Sequence, residues 1–308
     1  MKINLIKKLN YFILFLVLTI IYQINTKVNA QFTLDGEFRN KAMYLDGYKE
    51  LRNSTKHPYG IIVQRSRLNL SYTNDNISYY MSFQDVRSWG QDDFGVSNPS
   101  INLFEAWVNF GFNDLWSIKF GRQKIQYDDG RLLSYVNWRD NAVVHDLAIL
   151  KYQNSEKGFN ADFGIAVNNP ASYQNFITEY TLKNYKYMSY LWLNKKFFDK
   201  KLNISLMNIA DVYQKPLNIN SFNTRITTGP NISFKNNNFN IKGSYYYQGG
   251  KYADGKDINA YFYGLSLGYN ITKTAEFTVG YDHYSGTDYK DTLKAKSETN
   301  TFDKLYGT

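Results

Sequence analysis

Short and long connections alternate along this chain, and that alternation restricts the folds it can adopt. From residue 31 onward, alternating apolar and polar residues predict about thirteen strands of roughly ten residues each. Tight turns on one rim and long loops on the other are typical of an outer-membrane barrel. We therefore predict an all-β fold, an antiparallel up-and-down transmembrane β-barrel. The short connections are predicted near 74–76, 111–114, 154–158, 197–200, 235–238 and 270–274, and the long ones near 47–57, 88–100, 122–141, 168–183, 211–220, 249–258 and 285–301.

The first thirty residues have the pattern of a secretory signal peptide. Three lysines open the chain, residues 11–22 are almost wholly apolar, and residues 28–30 form a small-residue cleavage site. A transmembrane anchor is the alternative, but the apolar run is short of the roughly 20 residues that span a bilayer. We predict a signal peptide at 1–30, a barrel at 31–308, and the outer membrane of a Gram-negative bacterium as the location.

Composition excludes several classes of protein. The formal charge of the chain is +9, and removing the four lysines of the signal peptide leaves a mild basic excess over the 27 acidic residues. This excess does not indicate a nucleic-acid partner. With no cysteine there is no disulfide and no thiolate metal site. The 28 tyrosines and 21 phenylalanines suit the aromatic girdles of a barrel in contact with membrane lipid and lipopolysaccharide.

Strand alternation assigns a set of charged side chains to the barrel interior. In segment 259–269, for example, tyrosine and leucine share one face, while glycine, serine and alanine share the other together with Phe262. The same reading predicts seven basic and five acidic interior positions, which are Arg39, Lys41, Arg65, Arg67, Lys119, Arg225 and Lys242, and Asp35, Glu37, Glu105, Asp162 and Asp282. Segments 143–152 and 185–194 do not alternate clearly and are left unassigned.

A mixed but net-basic interior has two interpretations. Charges on an inner wall can pair across strands and serve structure alone. Alternatively, Arg and Lys side chains attract anions, as they do in anion pores, and the planar guanidinium suits carboxylates particularly well. The sequence leaves both interpretations open.

One long loop and its flanks carry the most specific motifs. The chain reads Gly-Arg-Gln at 121–123, Asp-Asp-Gly-Arg at 128–131, Asn-Trp-Arg at 137–139 and His-Asp at 145–146. With Phe-Glu-Ala-Trp-Val at 104–108 and Phe-Asp-Lys-Leu-Tyr-Gly-Thr at 302–308, this pattern resembles the alginate export family of outer-membrane porins, in particular its Bacteroidetes branch.

The resemblance implies a monomeric barrel that passes an anionic polysaccharide outward, with a possible periplasmic export partner. It implies pore or constriction roles for Arg122, Asp129, Arg131, Arg139 and Asp146, which could also form a loop network of ion pairs. Family members continue with further strands beyond the final motif, so we expect this chain to lack its closing strands.

The sequence gives little support for an enzyme or a metal-binding protein. The three histidines, His57, His145 and His283, have no nucleophile motif around them, so no enzyme activity is predicted. The paired acids at 92–93 and 128–129 lack the spacing of a Ca²⁺ loop, and neither a metal nor another cofactor is expected. A general, unspecific diffusion porin is the main alternative to an exporter of polyanions such as alginate, and small anions are possible solutes of either.

Overall fold

The computed structural model describes residues 31–47, 57–91, 101–168, 184–215, 218–288, 290 and 294–307. Thirteen strands follow one another, and each pairs antiparallel with the next. A four-residue helix α1 (Lys294–Ser297) precedes β14 (Glu298–Thr299), which pairs in parallel with β12. The strands are β1 Gln31–Leu45, β2 Tyr59–Asn74, β3 Ile77–Ser88, β4 Asn102–Gly111, β5 Trp116–Gln123, β6 His145–Asn154, β7 Phe159–Val167, β8 Tyr187–Phe197, β9 Leu202–Lys215, β10 Asn218–Lys235, β11 Phe239–Lys251, β12 Asp257–Asn270 and β13 Glu276–Tyr284.

The six predicted short turns are confirmed to within a residue or two. Asparagine side chains stabilise four of them by accepting hydrogen bonds from backbone N–H groups one to three residues further on. In the turn between β4 and β5, Asn113 Oδ1 accepts from the amides of Leu115 and Trp116 at 2.9 and 3.0 Å. In the turn between β10 and β11, Asn236 accepts from the amides of Asn238 and Phe239 in the same way.

Two of the predicted long connections are wrong. The segments 211–220 and 249–258 are mostly strand, because β9 runs to Lys215, β10 starts at Asn218, and β11 and β12 are separated only by residues 252–256. Polar residues at interior positions, such as Asp211, made the ends of these strands look like loop. The predicted loops at 47–57, 88–100 and 168–183 lie largely outside the described residues.

One face of the sheet is apolar and exposed. Phe163 and Ile165 on β7, and Leu265 and Leu267 on β12, are each about half exposed and lie on the same face as their strand's other apolar residues. Aromatic pairs mark both ends of this face. Trp116 and Tyr152 pack edge to face near the short turns, with ring centroids 4.9 Å apart, and Tyr187 and Phe222 lie 6.0 Å apart near the long loops. An apolar face that extends over many strands is unfavourable in water and is suited to contact with lipid.

The other face of the sheet curves around the loop 124–144. Strands far apart in the sheet reach this one loop: β1 through Arg39, β9 through Ser205 and β13 through Asp282. Only a strongly curved sheet can bring its first, ninth and thirteenth strands to the same segment. Within the described residues β1 and β13 do not pair, so the sheet is not closed.

Candidate pore interior

Arginines on β1 and β2 hold the loop 124–144 against the inner wall. Arg39 Nη1 donates to the Asn137 carbonyl at 2.7 Å, and its Nη2 donates to the Arg139 carbonyl at 3.0 Å. Arg65 is fully buried and donates to the same two carbonyls and to that of Asp140. Lys41 Nζ adds an ion pair with Asp140 at 2.7 Å. Arg39, Lys41 and Arg65 thus all contact the loop 124–144, and these donors bind protein atoms.

Glu37 balances two of these cations. Its carboxylate accepts from Arg65 Nε at 2.9 Å and from Arg67 Nη1 at 3.1 Å. Arg67 also donates to Gln84 at 2.7 Å, and its guanidinium lies 3.9 Å from the centroid of the Phe104 ring. An unpaired buried charge is costly. Because both arginines have partners in the protein, their presence on one strand can be explained by structure alone, without a solute.

The same loop contacts the opposite wall through Tyr127 and Asp128. Asp128 Oδ1 accepts from Trp192 Nε1 at 3.1 Å and from Ser205 Oγ at 2.5 Å. Tyr127 donates to Asp162 at 2.8 Å. Burial raises the pKa of Asp128 even though both hydrogen bonds favour its ionised form. Neither Tyr127 nor Asp128 was predicted from the sequence to line the pore.

Arg131 ties the loop to β13. Its guanidinium pairs with Asp129 at 3.3 Å and with Asp282 at 3.0 Å, and it lies 4.2 Å from the centroid of the Phe262 ring. It also donates to the Tyr284 hydroxyl. Burial acts to lower the pKa of Arg131, but the neighbouring carboxylates outweigh burial and raise it.

A row of charges crosses β4 to β7 on the inner wall. Lys124 pairs with Glu105 at 2.8 Å, and Lys151 pairs with Asp162. Lys119 lies between these pairs, with its ammonium 3.7 Å from the centroid of the Trp107 ring. Glu105 and Asp162 are buried, so their cations compensate them directly.

Arg225 on β10 is also buried and binds two acids. Both Nε and Nη2 donate to Asp211 at 3.2 Å, and Nη1 donates to Asp303 at 2.6 Å. Tyr213 accepts a further hydrogen bond from Nη2 at 2.7 Å. Sequence reasoning placed Arg225 inside but missed both of its acidic partners, since Asp211 was assigned to a loop.

Three of the cations predicted to line the pore, two from alternation and Arg139 from the family resemblance, have no carboxylate within ion-pair distance in the described part of the chain. They are Lys119, Lys242 and Arg139. Lys242 shares the inner face of β11 with the buried Tyr246 and Gln248 and is itself exposed. Arg139 is exposed on the loop, 5.5 Å from the centroid of the Trp138 ring.

Interior acids without a cation are also present. Asp35 accepts from Asn69 at 2.6 Å, and Asp128 is bound by Trp192 and Ser205 as described above. The positive excess of the described interior is therefore small, and much of the predicted basic lining is neutralised.

Arg122 and Asp146 differ from the rest of the predicted set. They face each other across β5 and β6 and form an ion pair at 3.0 Å. Their neighbours in the strands, Gln123 and Leu147, are buried on the inner face, so alternation places the pair on the outer face. The resemblance implied a pore role for both residues, whereas the structure puts them beside Phe120 on the side away from the loop.

The histidines lie in separate environments. His145 is buried, and its Nδ1 is 2.8 Å from the Tyr185 hydroxyl. His283 stacks on Tyr263 of the outer face at a centroid distance of 4.8 Å. In the described ranges, no group of three or more His, Asp or Glu side chains could hold a metal ion. No helix among the described residues is long and apolar enough to cross a membrane.

A curved antiparallel sheet with an apolar outer face, a charged inner face and a loop folded inward defines an outer-membrane β-barrel pore. The chain belongs to the alginate export family, whose model matches residues 31–308. The protein is accordingly placed in the outer membrane of a Gram-negative bacterium, in contact with membrane lipid. No sequence among the curated proteins matched the chain.

Solved structures with the same fold are porins and channels. The anion-selective porin of Comamonas acidovorans is 16% identical, with 83% of this chain and 79% of the other covered and a TM-score of 0.51. OccAB4 of Acinetobacter baumannii is 17% identical over 83% and 68%, with a TM-score of 0.54. The outer-membrane channel DcaP of Acinetobacter baumannii is 13% identical over 88% and 83%, with a TM-score of 0.53. Identities this low support the fold alone.

Proposed function

We propose that the pore passes anionic solutes and that its cargo is an acidic polysaccharide such as alginate. The observation that carries the proposal is the position of Arg139. It lies on a loop folded into the barrel, is exposed, and has no carboxylate partner among the described residues. Its planar guanidinium can bind a sugar carboxylate with two parallel hydrogen bonds.

Two further cations support an anion path. Lys119 and Lys242 lie on the inner faces of β5 and β11, also without carboxylates at ion-pair distance in the described part of the chain. With Arg139 they leave the interior mildly positive, which attracts anions without trapping them. Family membership supports alginate as the cargo, and on the same basis we propose a monomeric barrel served by a periplasmic export partner.

A general diffusion porin is the second candidate. The observation that favours it is the neutralisation of Arg65, Arg67, Arg131 and Arg225 by acids and loop carbonyls. These arginines have few donors left for a solute. A pore of this kind would conduct small ions with little preference and would not respond to a polyuronate.

Block of single-channel current by polyuronate distinguishes the two candidates. We expect polyuronate, added to one side of a planar bilayer, to block the wild-type channel at low concentration. Arg139→Gln should weaken this block about tenfold, because the guanidinium and its charged hydrogen bonds to a polyuronate carboxylate are lost. Lys200→Gln, which makes the same charge change in the turn between β8 and β9, should leave the block unchanged. A wild-type channel that ignores polyuronate would contradict the proposal and favour the diffusion porin.

A further inference from the structure

Residues 298–307, here called the inner segment, lie inside the barrel. The segment begins as β14 beside β12, and its Phe302 is buried with its ring centroid 5.7 Å from that of Phe262. At its other end the amide of Tyr306 donates to the Leu132 carbonyl at 3.1 Å. The inner segment therefore packs against both the wall and the loop 124–144.

The middle of the inner segment is held by Asp303. Its carboxylate accepts from Arg225 Nη1, its amide donates to Gln248 Oε1 at 2.9 Å, and its carbonyl accepts from Gln248 Nε2 at 2.8 Å. The two acids on Arg225 differ sharply in burial. The side chain of Asp211 is 0% exposed, whereas that of Asp303 is 40% exposed. Solvent therefore reaches only one of the two carboxylates.

A cavity of about 350 Å³ lies beside this ion pair. Arg225, Gln248, Tyr252, Lys256 and Asp303 form part of its wall, together with threonines of the inner segment. An aromatic ring, hydroxyls, an amide and two cations are the groups that bind an acidic sugar. Lys256 is held only loosely, with its ammonium 3.8 Å from Asp254.

We propose that this cavity binds a uronate unit, whose carboxylate takes the place of Asp303 on Arg225. The proposal rests on the function proposed above, because it assigns a binding site to the same class of cargo. Arg225 keeps Asp211 throughout, and Nη1 exchanges one carboxylate for another. The charge on the buried guanidinium is therefore balanced before and after the exchange, which avoids the cost of an unpaired buried charge.

Asp303 acts as an internal competitor in this scheme, so its removal should strengthen binding. Asp303→Asn keeps the size of the side chain and both backbone hydrogen bonds to Gln248. We expect its affinity for a tri-uronate, measured by titration calorimetry of the full chain in detergent, to exceed that of wild type about tenfold. A gain in affinity cannot arise from a misfolded variant.

A matched variant separates exchange from general electrostatics. Asp257→Asn removes an acid from β12 outside the cavity wall, one that pairs with the exposed Lys251 and not with Arg225. It should change the affinity less than about twofold, as expected for an exposed pair. A neutral trisaccharide should bind neither variant measurably. Equal gains in Asp303→Asn and Asp257→Asn, or no gain in either, would overturn the proposal.

The outcome is independent of the test of the pore function. Block of wild-type current by polyuronate reports the proposed cargo whether or not Asp303 exchanges. A channel that polyuronate blocks, but whose Asp303→Asn variant binds tri-uronate like wild type, would overturn this site alone. A channel without block would overturn the proposed function itself.

Discussion

Buried charges in this barrel are stabilised by specific partners on neighbouring strands and on the loop 124–144. Glu37 lies between Arg65 and Arg67, and Asp211 lies against Arg225. Each pair joins residues that lie close in space but well apart in sequence. Alternation could predict that Arg65 and Arg225 point inward, but it could not tell which of their donors remain available to a solute.

Arg65 gives a direct test of this structural role. Arg65→Ala removes the bonds to Glu37 and to three loop carbonyls, leaving Glu37 without its most buried partner. We expect about 3 kcal/mol less stability and a larger, noisier single-channel conductance as the loop loosens. Lys251→Ala, which breaks the exposed pair with Asp257, should cost less than about 1 kcal/mol. Conductance unchanged in Arg65→Ala would contradict the anchoring role.

Asp128 predicts a pH dependence of stability. Its pKa is raised above the ordinary value of 3.8, so the folded state favours the neutral acid. Stability is therefore lost as pH rises from that ordinary value through the raised folded value. Asp128→Asn stays neutral and keeps an acceptor for Ser205 and Trp192.

The measurement for Asp128 is the thermal midpoint in detergent at acidic and at neutral pH. At neutral pH the wild-type carboxylate is ionised and stability is lost, whereas the asparagine is unaffected. The midpoint of Asp128→Asn minus that of wild type should therefore be a few degrees larger at neutral than at acidic pH. Asp146→Asn, on the outer face, serves as the control. A midpoint difference that is the same at both pH values would contradict the assignment.

At the scale of strands and turns, local signals predicted the structure well. Asparagine-rich turns such as the one at Asn236–Asn238 fix where strands end, because their side chains bind the backbone locally. The ends of β9 and β10 were missed because Asp211 and its neighbours read as polar loop. Their strand character depends on pairing with β10, which sequence alone does not show.

The outer position of Arg122 follows from the same alternation. Lys119 points inward, so Gly121 and Gln123 share its face while Arg122 lies on the other. The family motif suggested a pore residue at this position, and strand periodicity gives the better prediction of where the side chain lies. Arg139 lies on a loop without regular periodicity, so its position could not be predicted from alternation.

A substitution at Gly121 tests the backbone conformation of β5, the strand that leads into the loop 124–144. Its φ of +119° is unfavourable for other residues, and a Cβ would lie 2.3 Å from the Ala106 carbonyl oxygen. Gly121→Ala should lower stability by about 2 kcal/mol, measured by urea unfolding in lipid vesicles. Gly111→Ala, also at a strand residue, meets no atom closer than 3.7 Å and should be tolerated. Equal stability of the two variants would contradict the strained backbone at Gly121.

At the scale of the whole molecule, three features of the structure indicate an outer-membrane pore. The apolar outer face fits lipid, the inner face carries charge, and the loop 124–144 narrows the space between the walls. The family model spans all described residues. A few interior cations remain available to an anionic solute because they have no carboxylate partner. In the described chain they are Lys119, Arg139 and Lys242.

The most direct test of this account is the reversal potential of single wild-type channels in a planar bilayer under a KCl gradient. The unpaired interior cations predict a potential whose sign shows that chloride crosses more readily than potassium, and the preference should weaken as salt screens the charges. A potential near zero, or one of the sign for potassium, would contradict the claim that the interior selects anions.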